Sequence, residues 1–181
     1  MQEVLLAAQP SDAETRSNQG SVWNNLGQLF DQQQRYTDAE KAYAKAVANQ
    51  QAALDSAPKN ARYRALLSSH YLYLSRNLNK QAKYGAAVQA AIERKQLWSG
   101  NADRLYSVAQ QLAGTYNLMQ AASTPQQSQA ECVNGAVATL REALTAGLPA
   151  DRLKDKSLAS LAGSEEFRKL IDGPKTLSRT N

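Results

Sequence analysis

The sequence predicts an all-α chain of stacked antiparallel helix pairs, closed at its C-terminal end by short helices. Three observations carry that prediction: an internal repeat of 48 residues, apolar residues recurring at helical spacing, and no alternating strand pattern anywhere. Shifted by 48 positions, Pro10 falls on Pro58, Ala13 on Ala61, Arg16 on Arg64, Trp23 on Tyr71, Leu26 on Leu74, Gln33 on Gln81, Tyr36 on Tyr84 and Ala39 on Ala87. The register holds without a gap from Pro10 through Ala87.

The elements follow in order. Ser11-Asp12-Ala13-Glu14 has the form of a capping box, a hydroxyl for one orphan N–H and a carboxylate three residues on for another. It opens a helix carrying Val22, Trp23, Leu26 and Phe30, which the polar run 31–35 closes. Thr37-Asp38-Ala39-Glu40 reads as a second capping box, and Ala39, Ala42, Tyr43, Ala46 and Val47 continue on one face until Pro58. The second copy repeats this with Tyr63, Leu67, Tyr71, Leu74 and Leu78, a turn at 79–83, then Ala87, Ala91 and Ile92. A third pair begins with Leu105, Val108, Ala109 and Leu112 and runs to about Gln120. Thr124 as cap with Pro125 at the first helical position restarts the chain, and Ala136, Leu140, Ala143 and Leu144 line the next helix up to Gly147 and Pro149. Two short helices follow, one with Leu158 and Leu161 stopped by Gly163, one capped by Ser164 with Phe167, Leu170 and Ile171 as its apolar side. The expected boundaries are therefore 1–10 (the end of a preceding second helix), 11–58, 59–99, 100–148, a cap over 149–173 and a disordered tail over 174–181.

Composition excludes several classes. Apolar residues are 43% of the chain but aromatics only 7%, which suits close helix–helix packing through small side chains. No run approaches the roughly 20 apolar residues that cross a bilayer, so no membrane role is expected. The start carries neither a basic stretch nor an apolar core long enough for an export signal, and the lone Cys132 allows no internal disulfide; a cytoplasmic setting is expected. One Cys and one His do not make a metal site, and no cofactor motif is present. His70 has no nucleophile or orienting carboxylate at a catalytic spacing and reads as a packed helix residue. Cys132 reads as a small apolar filler, and Tyr63, Tyr71, Tyr73, Tyr84, Tyr106 and Tyr116 as core or groove lining. No enzyme is predicted.

The residues Trp23-Asn24-Asn25-Leu26-Gly27, with Phe30, Tyr36, Ala39, Tyr43 and Ala46, resemble the signature of the tetratricopeptide family, with Gly27 and Ala39 as the close-contact points of two antiparallel helices. The second copy departs from it: Ser75 stands in place of the Gly and Arg94 in place of the last Ala. The resemblance covers about residues 11–147 and implies an α-solenoid that binds a protein or peptide. The long second helix and the ending Leu158…Leu161…Phe167…Leu170 are similar to helical repeats attached to bacterial serine/threonine protein kinases, which implies a place in a larger signalling protein. Kinase motifs themselves are absent.

Carried onto this chain, the family's concave ligand face implies Asn24, Gln28 and Asp31 from the first copy, Leu72, Arg76, Asn79 and Lys80 from the second, and Tyr106 and Gln110 from the third. Leu72, Arg76 and Lys80 share one helical stripe and suit an acidic or carboxylate-terminated peptide. The family's carboxylate clamp would need Lys at position 24 and Asn at position 28, so this chain is not expected to hold chaperone tails. Residues 61–100 carry seven basic side chains against Glu93 alone, and a polyanion or nucleic-acid binder is the alternative reading. Finally, Gln2–Gln9 aligns with Gln50–Ala57, the end of a second helix, so the chain is expected to begin inside a repeat array. It is then expected to self-associate through Val4, Leu5 and Leu6.

Overall fold

The structure, a computed structural model, describes residues 12–172, and these are helical with no strand among them. Among these residues seven α-helices follow one another: α1 (Asp12–Gln32), α2 (Tyr36–Ser56), α3 (Ala61–Lys80), α4 (Tyr84–Gln96), α5 (Ala102–Ala121), α6 (Gln126–Thr145) and α7 (Glu165–Asp172). Two 3-10 segments, Ala150–Lys154 and Lys156–Gly163, lie between α6 and α7. The expected capping residue Ser11, the self-association residues Val4, Leu5 and Leu6, and the polar tail lie outside the described residues. The chain divides into two compact units, Met1–Leu74 and Ser75–Asn181, the division falling inside α3.

In the first unit α1 packs along α2, and the contact is set by two glycines two turns apart. At Gly20 a Cβ would meet the Ala46 carbonyl at 3.2 Å; at Gly27 it would meet Tyr43 Cε1 at 2.6 Å. The Tyr43 ring, fully buried, therefore lies on the bare backbone of α1, and its centroid sits 6.0 Å from that of Tyr73 with the planes 10° apart. Gln50, fully buried, ties three elements together: Ser17 Oγ donates to its Oε1 at 3.1 Å and its Nε2 donates to the Tyr63 carbonyl at 3.2 Å.

The second unit has a contiguous apolar core. Leu105, Leu112 and Met119 of α5 meet Val133 and Leu140 of α6, and Leu158, Leu161 and Phe167 close over them. Ser75, fully buried at the position matching Gly27, donates to the Ala87 carbonyl at 2.9 Å.

Two kinds of connection alternate. The turns within the helix pairs share one geometry: Arg35 N–H donates to Phe30 O, Lys83 N–H to Leu78 O, and Thr124 N–H to Met119 O, each five residues back. The preceding residue is left-handed in each case, Gln34 (φ 59°), Ala82 (φ 55°) and Ser123 (φ 51°). This is the Schellman termination without its usual glycine, and Gly147 (φ 100°) supplies the glycine version after α6. The connections between pairs are instead asparagine caps, Asn60 Oδ1 accepting from Arg62 and Tyr63 N–H, and Asn101 Oδ1 accepting from Arg104 N–H.

Three local expectations are corrected. The Thr37 capping box does not form: the tight turn makes Arg35 the residue before α2, and its guanidinium clasps Asp38 and lies 4.4 Å over the Phe30 ring. Thr124 does not cap α6, because the same turn geometry directs its hydroxyl back to Met119 O, leaving Pro125 at the cap position. The helix predicted around Leu158 and Leu161 is 3-10, opened by Asp155 Oδ1 accepting from Ser157 N–H. Ser164 does cap α7, accepting from Phe167 N–H at 3.0 Å.

Candidate functional site

The sequence-predicted ligand face falls on α1, α3 and α5, and its residues differ sharply in what surrounds them. In the first unit Asn24 is 7% exposed and its Oδ1 accepts no hydrogen bond from the chain; Gln28, Asp31 and Leu72 are half-buried. The Tyr43 hydroxyl is likewise buried without a partner, and burial, with Asp31 and Tyr73 nearby, raises its pKa well above the ordinary phenol range. It is neutral at any physiological pH.

In the second unit Asn79 is half-buried. Its Nδ2 donates to Thr115 Oγ1 at 2.9 Å while its Oδ1 is buried and accepts nothing from the chain. Arg76 and Lys80, one turn apart, are exposed. Arg94, 4% exposed, lies near Arg76 and Arg104; its guanidinium donates to Gln111 Oε1 at 2.7 Å and Ser107 Oγ at 3.1 Å. Burial and the two like charges lower its pKa to about 10, so it stays charged at neutral pH. Three cations thus lie close enough in this unit to act on one another, and sequence reasoning counted Arg94 in the basic stretch and as a departure from the repeat pattern without placing it beside Arg76.

Tyr106 and Gln110 do not line an open face. Tyr106 is 2% exposed, its hydroxyl donates to the Arg152 carbonyl, and the Arg152 guanidinium lies 4.4 Å over its ring. Gln110 Nε2 donates to Ser157 Oγ at 2.8 Å, and Ser160 Oγ to the Ala113 carbonyl at 2.9 Å. The 3-10 segments occupy that side of α5 because Leu153, Leu158 and Leu161 find their burial there. Sequence reasoning placed those leucines in a terminal cap but had no signal for which helix face the cap would cover.

Three of the seven cations in the basic stretch 61–100 are engaged within the chain. Arg64 donates to the Pro58 carbonyl, Arg94 is buried, and Lys95 pairs with Glu142. His70 is 2% exposed with neither ring nitrogen bonded, and burial pushes its pKa down to about 4. Cys132 is fully buried, its thiol donates to Leu112 O, and burial pushes its pKa up to about 12. Among the described residues no cluster of three or more His, Cys, Asp or Glu could hold a metal ion, and no helix is long and apolar enough to cross a membrane. Comparison with protein-family models, with curated proteins and with solved structures finds no match to this chain.

Proposed function

We propose that the chain is a tetratricopeptide-like interaction module that binds an extended, acidic peptide segment of a protein partner, and that it serves within a larger signalling assembly. One observation carries the reading: Asn24 and Asn79, at predicted ligand-facing positions of the first and second repeat, each keep a buried amide oxygen that accepts nothing from the chain. A buried acceptor left without a donor costs about 1–3 kcal/mol, which a ligand N–H would recover where the side chains covering these oxygens turn aside on binding. Arg76 and Lys80 beside Asn79, with Arg94 and Arg104 adding positive potential, favour a carboxylate-bearing ligand over a neutral one. Rigid helices presenting these groups would lose little conformational freedom on association. The polyanion alternative is disfavoured because Arg64, Arg94 and Lys95 are already engaged within the chain.

The test is selection from a random peptide library, followed by affinity measurement on the intact chain and on Asn24→Ala, Asn79→Ala and Arg76→Glu. Circular dichroism checks that all forms are equally helical. Selected peptides rich in Asp and Glu, weakened about 10-fold or more by each asparagine variant, support the module. Peptides bound equally by all forms would displace the site from these residues. Affinity for DNA that falls steeply with salt, with no peptide selected, would favour the polyanion reading.

A further inference from the structure

In the second unit the end of α3, the end of α4 and the middle of α5 are joined by polar side chains. Asn79 Nδ2 donates to Thr115 Oγ1 at 2.9 Å, and that hydroxyl donates in turn to the Gln111 carbonyl at 3.2 Å. Arg94 reaches across from α4, one guanidinium nitrogen donating to Gln111 Oε1 at 2.7 Å and the other to Ser107 Oγ at 3.1 Å. The bond to Gln111 fixes which way its amide points, because only the oxygen can accept from a guanidinium. Gln111 Nε2 is thereby left as a buried donor with no acceptor among the described residues. Two more cations stand around this network. Arg104 precedes Ser107 by one turn of α5, its guanidinium 4.9 Å over the Trp98 ring, and Arg76 precedes Asn79 by one turn of α3. Both are exposed, both lie close enough to Arg94 to act on it, and among the described residues neither forms an ion pair.

An unmet donor and unpaired cations call for the same ligand group, an oxyanion. We propose that Arg76 and Arg104 hold a phosphoryl group carried on the peptide partner, with Gln111 Nε2 as a further donor once the side chains covering it turn aside. The inference rests on the peptide-binding reading above and names the acidic group that this end of the ligand presents. A phosphomonoester brings about −1.5 to −2 charge and three acceptor oxygens to one point, so it can engage two guanidiniums and an amide together. A carboxylate brings one charge and two oxygens, which two guanidiniums already exhaust. A nucleic-acid backbone instead spreads one charge per phosphate along its length and needs a continuous track of cations. Here Arg64 bonds the Pro58 carbonyl and Lys95 pairs with Glu142, so the available cations form a point and not a track. Asn79 Oδ1, the unmet acceptor of the same network, suits a peptide N–H beside the phosphorylated residue and repels a phosphate oxygen.

A phosphoserine peptide library and its unphosphorylated twin are presented to the full chain and to Arg76→Gln, Arg104→Gln and Lys154→Gln, the last removing a charge elsewhere in the unit. Circular dichroism checks that all forms are equally helical. Selected phosphopeptides are expected to bind about 10-fold or more tighter than their unphosphorylated twins, to lose that advantage in both arginine variants and to keep it in Lys154→Gln. Inorganic phosphate is expected to compete with them. With Trp23→Phe leaving Trp98 as reporter, it also changes the indole emission saturably at constant ionic strength. Acidic peptides bound equally with and without phosphate would overturn the phosphoryl site and leave the peptide module standing. A phosphate-dependent change at Trp98 with no peptide of either kind selected would overturn the peptide as its carrier. Equal losses in Lys154→Gln would reduce the effect to net charge, and DNA that displaces the phosphopeptide with a steep salt dependence would give the cluster to a polyanion; either result overturns the proposal.

Discussion

His70 makes the stability of this chain pH-dependent between about pH 4 and 6.5. The imidazole is 2% exposed, neither nitrogen is hydrogen-bonded, and burial lowers its pKa to about 4 against 6.5 for a free side chain. The folded-state pKa lies below the unfolded one, so between pH 4 and 6.5 the unfolded chain binds more protons and stability rises with pH. The contribution is complete above about pH 6.5 and is lost as the pH falls toward 4. The gap of about 2.5 units corresponds to about 3.4 kcal/mol at its limit, and about 2 kcal/mol of that is lost by pH 5. For a domain whose whole stability is typically about 5–15 kcal/mol, that is a large fraction.

Urea unfolding followed by far-UV circular dichroism at pH 8, 7, 6 and 5 reads the effect, on the intact chain and on His70→Leu. The intact chain loses about 2 kcal/mol more than the variant between pH 8 and 5. At pH 8 the variant is as stable or more so, since replacing a buried imidazole whose nitrogens lack partners removes a desolvation cost. As the chain has a single histidine, proton NMR gives the imidazole pKa without assignment work. A measured value near 6.5, or parallel pH profiles for the two proteins, would refute the reasoning.

Other substitutions test the elements separately. Ala82→Gly places glycine where the backbone is left-handed (φ 55°) and raises stability by about 0.5–1 kcal/mol, whereas Gly147→Ala (φ 100°) lowers it by about 1–2 kcal/mol; thermal unfolding of both variants checks the opposite signs. Gln50→Ala removes a fully buried side chain bonded to Ser17 and Tyr63, and costs about 2–4 kcal/mol in urea unfolding. Phe167→Ala empties the site that anchors α7 in the second unit; it costs about 3–4 kcal/mol and increases dye binding to the Leu158–Leu161 surface.

The helices themselves were legible because their signals are local. Apolar residues three and four apart give α1 to α6, and Ser164 three residues before Phe167 gives the cap of α7. The turns were legible in position but not in chemistry. A Schellman turn is announced by glycine, and Gln34, Ala82 and Ser123 adopt its left-handed backbone without one, so Thr37 and Thr124 looked like caps. The candidate site was half legible. Helix faces pick out Asn24 in one unit and Asn79 with Arg76 in the other, but periodicity says nothing of what a distant segment will cover. Ser157 and Arg152 come from 47 and 46 residues away to engage Gln110 and Tyr106. Gln50 escaped notice for a related reason. A buried glutamine reads as a surface residue until its two partners are in place.

The helix crossings show why the two copies of the repeat diverge at matched positions. Gly27 is glycine because Tyr43 lies where its Cβ would be, 2.6 Å from Cε1. In the second copy position 91, the counterpart of Tyr43, is alanine, and position 75, the counterpart of Gly27, is a serine whose hydroxyl reaches the Ala87 carbonyl. At matched positions the second copy gains a small side chain on one helix and loses a larger one on the other, which predicts that the two changes partly compensate. The exchange can be transplanted. Gly27→Ser alone drives a side chain into the Tyr43 ring and costs about 1–3 kcal/mol, and Tyr43→Ala alone opens a cavity and costs about 3–5 kcal/mol. Together they recreate the crossing of the second copy, with the introduced hydroxyl placed to donate to the Ala39 carbonyl, and the double substitution costs less than the sum by about 1–3 kcal/mol. Strict additivity in that cycle would mean that Ser75 and Ala91 were never compensating partners and that the two crossings have unrelated geometry.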